Sequence, residues 1–202
     1  MKKIETIWHY ILMSAMKDKK YKHTQQEIAL KFGFSISTVS LAIEAPSQIG
    51  AINKTSKFFV LANFSKLLYF WATHRNLYRD IIYKSFVNLP VSQIEGYVPS
   101  DCIYGGYSAG KILLKEPPAD YSTVHIYAEE SQLIAIQTRF APYADAKRGE
   151  PNFYVFKYDP FLKQYGNVTT FPHTFVDIWN LRDWYSTDFV KALEQKINGI
   201  LS

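Results

Sequence analysis

Gly105 and Gly106, followed by Tyr107-Ser-Ala-Gly-Lys-Ile-Leu-Leu-Lys115, come nearest in type and spacing to a site for phosphate chemistry. Two glycines at the start of a helix let backbone amides approach a phosphate, and the helix N-terminus favours its charge. For phosphoryl transfer, the next strand must carry two carboxylates two residues apart, both on one face, to hold metal ions. The strand that follows, Ser122-Thr-Val-His-Ile-Tyr-Ala128, contains no Asp or Glu. Glu129 and Glu130 come at its far end and are adjacent, so a strand would point them to opposite faces. The turn therefore reads as a possible nucleotide or ligand loop without the carboxylates of a working transferase.

Other residues carry weaker chemistry. The histidines at 9, 23, 74, 125 and 173 form no i, i+3 or i+4 pair, which gives no metal-site spacing and no expected cofactor. His125, within an apolar strand, reads as a packed histidine rather than a base. Asp177 between Val176 and Ile178 reads as a local cap or pair, and the single Cys102 as a small buried hydrophobe. No P-loop, nucleophile elbow or dinucleotide fingerprint is present, and no catalytic residues are assigned. Tyr104, Tyr107 and Tyr127 could line an effector pocket, and they suit core packing equally well.

A second constellation is one of recognition. Thr24 and Glu27 have the spacing of a capping box, Ile28, Ala29 and Leu30 supply apolar content, and Gly33 sits where a tight turn needs positive φ. A further helix opens near Ser35 or Ser37, with Ile36, Val39 and Ile43 expected to face inward. This is the pattern of a helix-turn-helix. Its outward residues are then Ser37, Thr38, Ser40, Leu41 and Glu44, while Gln25 and Gln26 start the preceding helix within reach of a phosphate. The outward face lacks Arg, Lys, Asn and Gln, the residues that make bidentate base contacts, so affinity should lean on phosphate contacts and on avidity between copies.

The surrounding elements fit that reading. Ile4, Ile7, Trp8, Ile11, Leu12, Ala15 and Met16 recur with a helical period, and a loop bearing Lys17, Lys19, Lys20 and Lys22 follows. Pro46 and Gly50 are expected to close the recognition helix. Residues 51–61 read as two short strands about a polar turn that offers Asn53, Lys54, Thr55, Ser56 and Lys57, and a fourth helix runs from Phe64 to Ala72. Helices followed by a β-hairpin give the order of a winged helix, expected over residues 1–80.

From about Val91 the pattern shifts to short apolar runs broken by Gly and Pro. Helices are expected at Val91–Tyr97, Tyr107–Lys115, Thr174–Trp179 and Thr187–Ile197, and strands at Cys102–Gly105, Thr123–Glu129, Leu133–Arg139, Asn152–Lys157 and Gly166–Thr170. The chain is thus α+β, with a second domain over residues 90–202 and a boundary within Arg79–Pro90.

Charge divides along the same line. Residues 1–90 hold 13 Lys/Arg against 5 Asp/Glu, a net of +8, and residues 91–202 hold 10 against 13, a net of −3. A basic first half suits phosphate, and a mildly acidic second half suits a different partner. One cysteine excludes an intramolecular disulfide. The charged N-terminus lacks a signal-peptide core, and no run is long enough to span a bilayer, so a cytoplasmic chain without membrane contact is expected.

Together, the winged helix, Ile103-Tyr-Gly-Gly-Tyr-Ser-Ala-Gly-Lys-Ile-Leu113, the carboxylate-free strand and Thr174-Phe-Val-Asp-Ile-Trp-Asn-Leu181 resemble the abortive-infection type IV antitoxins and their relatives. The resemblance implies a winged helix that binds double-stranded DNA and represses its own operon. It also implies a C-terminal domain related to the nucleotidyltransferase fold but without its active site, free to meet a cognate toxin or a second copy. The chain is then a DNA-binding transcriptional regulator and not an enzyme. The alternatives are a nucleotide-binding enzyme acting through Gly105-Gly106 and a small-molecule-sensing regulator.

Overall fold

Ile7, Ile11, Leu12 and Ala15 line one fully buried face of α1 (Lys3–Asp18) in the computed structural model, which describes residues 1–145 and 149–202. The spacing of these residues is that of a helix with one apolar stripe. The described chain is α+β and divides into two units, Met1–Arg75 with Ile197–Ser202, and Asn76–Lys196. The division falls between Arg75 and Asn76, ahead of the expected 79–90 segment, and the last six residues group with the first unit rather than the second. No helix of the described residues is long and apolar enough to cross a membrane.

In the first unit, β1 (Lys22–His23), α2 (Gln25–Phe32), α3 (Ile36–Gln48), β2 (Ile52–Lys54), β3 (Phe59–Leu61) and α4 (Phe64–His74) follow α1. Local chemistry sets their ends. The Thr24 hydroxyl accepts from the Glu27 amide at 3.1 Å and starts α2. Gly33, at φ 64°, ends it in the left-handed region. Ser35 accepts from the Thr38 amide and starts α3, and Asn63 does the same for α4 through the Lys66 amide. The strands pair antiparallel in the order β1-β3-β2, with Asn53 opposite Val60 and Lys22 opposite Val60 on the other side. β1 lies inside the lysine-rich stretch expected to be a loop.

Pro46 does not close the helix it was expected to end. It lies buried inside α3, which runs on to Gln48. A proline cannot donate to the carbonyl four residues back, which frees the oxygen of Ala42. The Trp8 indole of α1 takes that oxygen at 2.6 Å, so the missing helical bond becomes a tie between helices. Val39, Ala42 and Ile43 complete the core beneath it with Leu67 and Trp71 of α4. Ile36 departs from the inward reading: it is 54% exposed, because the packed stripe begins one turn later at Val39.

The second unit contains β4 (Ile81–Ser85), α5 (Val91–Tyr97), β5 (Ile103–Gly105), α6 (Gly106–Leu114), β6 (Val124–Ala128), α7 (Leu133–Phe140), β7 (Phe153–Lys157) and α8 (Phe171–Trp179); α9 (Ser186–Leu201) begins there. Its strands are ordered β4-β7-β6-β5, parallel only between β6 and β7. Val124, Ile126 and Ala128 of β6 point into a core with Phe153, Val155, Ile136 and Phe140. Two expected strands are absent. Residues 133–139 form α7 instead, because Leu133, Ile136 and Phe140 share a helical face and a Glu129–Gln132 capping box precedes it. Residues 166–170 make only a single bridge, Val168 to Tyr104, and Thr170 is used to cap α8.

Candidate functional site

Three pieces of the first unit meet around a cleft of about 320 Å³. Gln25 and Gln26 come from the start of α2, Ile36 from the start of α3, and Thr55, Ser56, Lys57 and Phe58 from the β2–β3 turn. The Thr55 amide donates to the Phe58 carbonyl at 2.8 Å and the Phe58 amide to the Thr55 hydroxyl at 3.1 Å, so this turn is closed on itself. Lys57 has no partner among the described residues and extends from the turn beside the cleft. Ile36 and Phe58 were not singled out from the sequence. The helical period places Ile36 in the core, and the sequence gives Phe58 no signal apart from its apolar neighbour Phe59.

The remaining outward residues of α3 divide by environment. Ser37, Leu41 and Glu44 are exposed, while Thr38 and Ser40 are half-buried. The hydroxyls of Ser37 and Thr38 lie 2.9 and 2.8 Å from that of Ser35, so they form one hydroxyl cluster at the helix start. Glu44 pairs with Lys54 of β2 at 3.3 Å, which offsets one cation of the hairpin; Asn53 beside it is exposed.

The basic loop is less available than its composition suggests. Lys19, in the left-handed region, donates to the Ile200 carbonyl at 2.8 Å and so caps the end of α9. Lys20 pairs with Glu27 at 2.9 Å, and that hydrogen bond raises the lysine pKa. Lys22 lies 3.9 Å over the Phe58 ring. Glu27 also meets His23 at 3.1 Å, which explains why its side chain does not return to Thr24 to complete the capping box. Burial is the main influence on His23 and lowers its pKa despite that carboxylate.

The glycine turn of the second unit is occupied by the protein itself. Gly105 and Gly106 are buried at the junction of β5 and α6. A Cβ on Gly105 would fall 2.8 Å from the Tyr127 ring, and one on Gly106, at φ 50°, would fall 2.7 Å from His125 Nδ1. The glycines are needed for close approach to two rings of β6. His125 and Tyr127 occupy the alternating positions of β6 that face this turn, and neither is a carboxylate.

Tyr127 donates to Asp177 of α8 at 2.6 Å, Tyr107 to Asp183 at 2.9 Å and Tyr104 to the Glu95 carbonyl at 2.7 Å. Tyr107 and Tyr127 are fully buried, so these phenols form core bonds and not an effector pocket. Asp177 accordingly bonds across to β6 as well as lying 3.5 Å from His173. Burial pushes the Cys102 thiol up to about 11, which keeps it protonated and unreactive. Among the described residues no group of three or more His, Cys, Asp or Glu could hold a metal ion.

No protein-family model matches this chain, and neither curated proteins nor solved structures give a match. Its own geometry carries the functional argument.

His125 supplies a pH test of the second unit. Burial pushes its pKa from 6.5 down to about 4, with Asp183 and Asp177 acting weakly the other way. Between those values the unfolded chain binds more protons than the folded one, so stability falls as pH drops from 6.5 towards 4. The contribution is about 3 kcal/mol when fully expressed. Urea unfolding across that range should show a shallower decline for His125→Phe than for the parent chain; equally steep declines would contradict a buried neutral imidazole.

Proposed function

We propose that the first unit is a winged helix that binds double-stranded DNA, with α3 as recognition helix and the β2–β3 hairpin as wing. We further propose that the chain is an autorepressing transcriptional regulator of antitoxin type. The convergence of Gln25, Gln26, Ile36 and Lys57 around one cleft carries this reading: three separate chain segments offer amides, hydroxyls and a free cation on one side of the unit. Such a surface suits a phosphate backbone running past the α2 N-terminus and the wing.

The chemistry of the α3 face sets the mode of recognition. Exposed Ile36 and Leu41 suit thymine methyl groups, and Ser37 can hydrogen-bond base edges or phosphates. Without arginine or amide side chains there, base discrimination is modest, and two copies on one operator raise it through avidity. In this reading the second unit is a non-catalytic domain of nucleotidyltransferase type that meets a toxin or another copy. An enzyme using Gly105-Gly106 would need those backbone atoms open to phosphate, and they are packed against Tyr127 and His125.

The wing assignment has a direct test. Lys54→Ala with Lys57→Ala should weaken binding to every DNA sequence and reduce the slope of log K against log salt by about 0.9 per lost phosphate contact. Glu44→Gln should act oppositely, because it releases Lys54 from its carboxylate. Unchanged binding in the lysine double variant would remove the hairpin from the interface.

A further inference from the structure

The second unit holds a cavity of about 490 Å³ on the sheet face opposite its apolar core. Strand register builds its floor. Lys84 of β4 lies opposite Tyr154 of β7, and Tyr154 lies beside His125 of β6, so a cation, a phenol and an imidazole form one row across three strands. The rings stand nearly parallel, with His125 at 5.2 Å and 13° from Tyr154 and at 5.8 Å and 7° from Phe156. Two residues before His125 on the same face, Thr123 lines the cavity with a buried hydroxyl that has no partner. Buried polar atoms of this kind are normally satisfied, by protein, water or ligand.

The charges of the wall are balanced. Lys84 and Arg182 supply two cations, and Glu150 and Asp183 supply two carboxylates, among the described residues. Lys84 and Glu150 have no partner among the described residues, and Arg182 rests over the Tyr78 ring at 5.5 Å rather than on a carboxylate. A phosphate dianion would leave this wall with uncompensated negative charge. A ligand carrying one positive and one negative group leaves it neutral, and the apolar rings suit a planar body.

We propose that this cavity binds a zwitterionic small molecule with a planar ring, of the class of the aromatic α-amino acids. Its carboxylate meets Lys84, its ammonium meets Glu150 or Asp183, and its ring lies against Tyr154. The volume is in the range of small-molecule sites. The site lies wholly within the second unit and stands whether or not the first unit binds DNA.

Isothermal titration of the full-length chain with L-phenylalanine, L-tyrosine and L-tryptophan tests the proposal. 3-Phenylpropionate, phenethylamine, glycine and adenosine 5′-monophosphate serve as probes lacking the ammonium, the carboxylate, the ring and the zwitterion respectively. At least one amino acid should bind, and loss of either charged group should weaken it about tenfold or more. Lys84→Met, at an exposed edge-strand position, should weaken the same amino acid about tenfold while leaving the unliganded melting temperature unchanged. Three outcomes would overturn the assignment: no binding of any of the three at millimolar concentration, equal binding by Lys84→Met, or tighter binding of the nucleotide than of all three.

Discussion

Arg75→Ala is expected to destabilise the first unit by about 3–5 kcal/mol, the range for stranding one member of a buried ion pair. Arg75 Nη1 lies 3.1 Å from Glu5 Oε2, and both side chains are almost wholly removed from water. The Trp71 indole donates to the same oxygen at 3.4 Å, so the carboxylate is held from two sides. The pair joins the start of α1 to the end of α4 and so braces the two helices that back α3. Removing the guanidinium leaves a buried anion with one weak donor. Glu5→Leu with Arg75→Met removes both charges together and should recover most of the loss, since a buried pair adds little over apolar packing. Urea unfolding followed by tryptophan fluorescence measures all of these. A loss under about 1 kcal/mol for Arg75→Ala would show that the pair is solvated in solution.

Gly106→Ala should destabilise the second unit by about 2–5 kcal/mol, from left-handed strain together with overpacking. The added methyl would meet Nδ1, Cγ and Cβ of His125 at 2.7–3.0 Å. Any movement of the imidazole would disturb its stacking on Tyr154 and Phe156. Gly33→Ala is the matched control: its φ is 64°, yet nothing lies within 4 Å of the new Cβ, so only strain of about 1 kcal/mol remains. The comparison also separates packing from phosphate binding. A glycine kept only for a ligand would lose no more than the left-handed strain found at Gly33, and a loss for Gly106→Ala no larger than that for Gly33→Ala would overturn the packing role.

Local signals were legible in the sequence wherever a short-range rule decided the outcome. Thr24, Gly33, Ser35 and the β-hairpin after Gly50 act through their immediate neighbours, and the structure places them as their types require. Residues whose fate depends on distant partners were not legible. Pro46 stays within α3 because Trp8, 38 positions earlier, takes the freed carbonyl. Ile36 is exposed because the core ends at Val39, which a helical period alone cannot mark. Residues 133–139 carry β-branched Ile and Thr, yet Phe140 just beyond them completes a helical stripe. The glycine pair shows the same limit. Its place at a helix N-terminus was readable, but which atoms it approaches was fixed by His125 and Tyr127 of another strand.

The candidate interface follows this division. Gln25, Gln26, Thr55 and Lys57 were identifiable because they flank caps and turns, and they meet at one cleft. The lysines before α2 have contacts that composition does not reveal: Lys19 meets the C-terminal end of α9, Lys20 meets Glu27 and Lys22 lies over Phe58.

DNA recognition by α3 and the β2–β3 hairpin is open to a single binding measurement. Fluorescence anisotropy of the full-length chain against its own promoter fragment and an unrelated fragment, each at two salt concentrations, tests it most directly. Salt-sensitive binding to both is expected, with a preference for the promoter, lowered in Lys54→Ala/Lys57→Ala and raised in Glu44→Gln. Absence of binding to either fragment at low salt would contradict it.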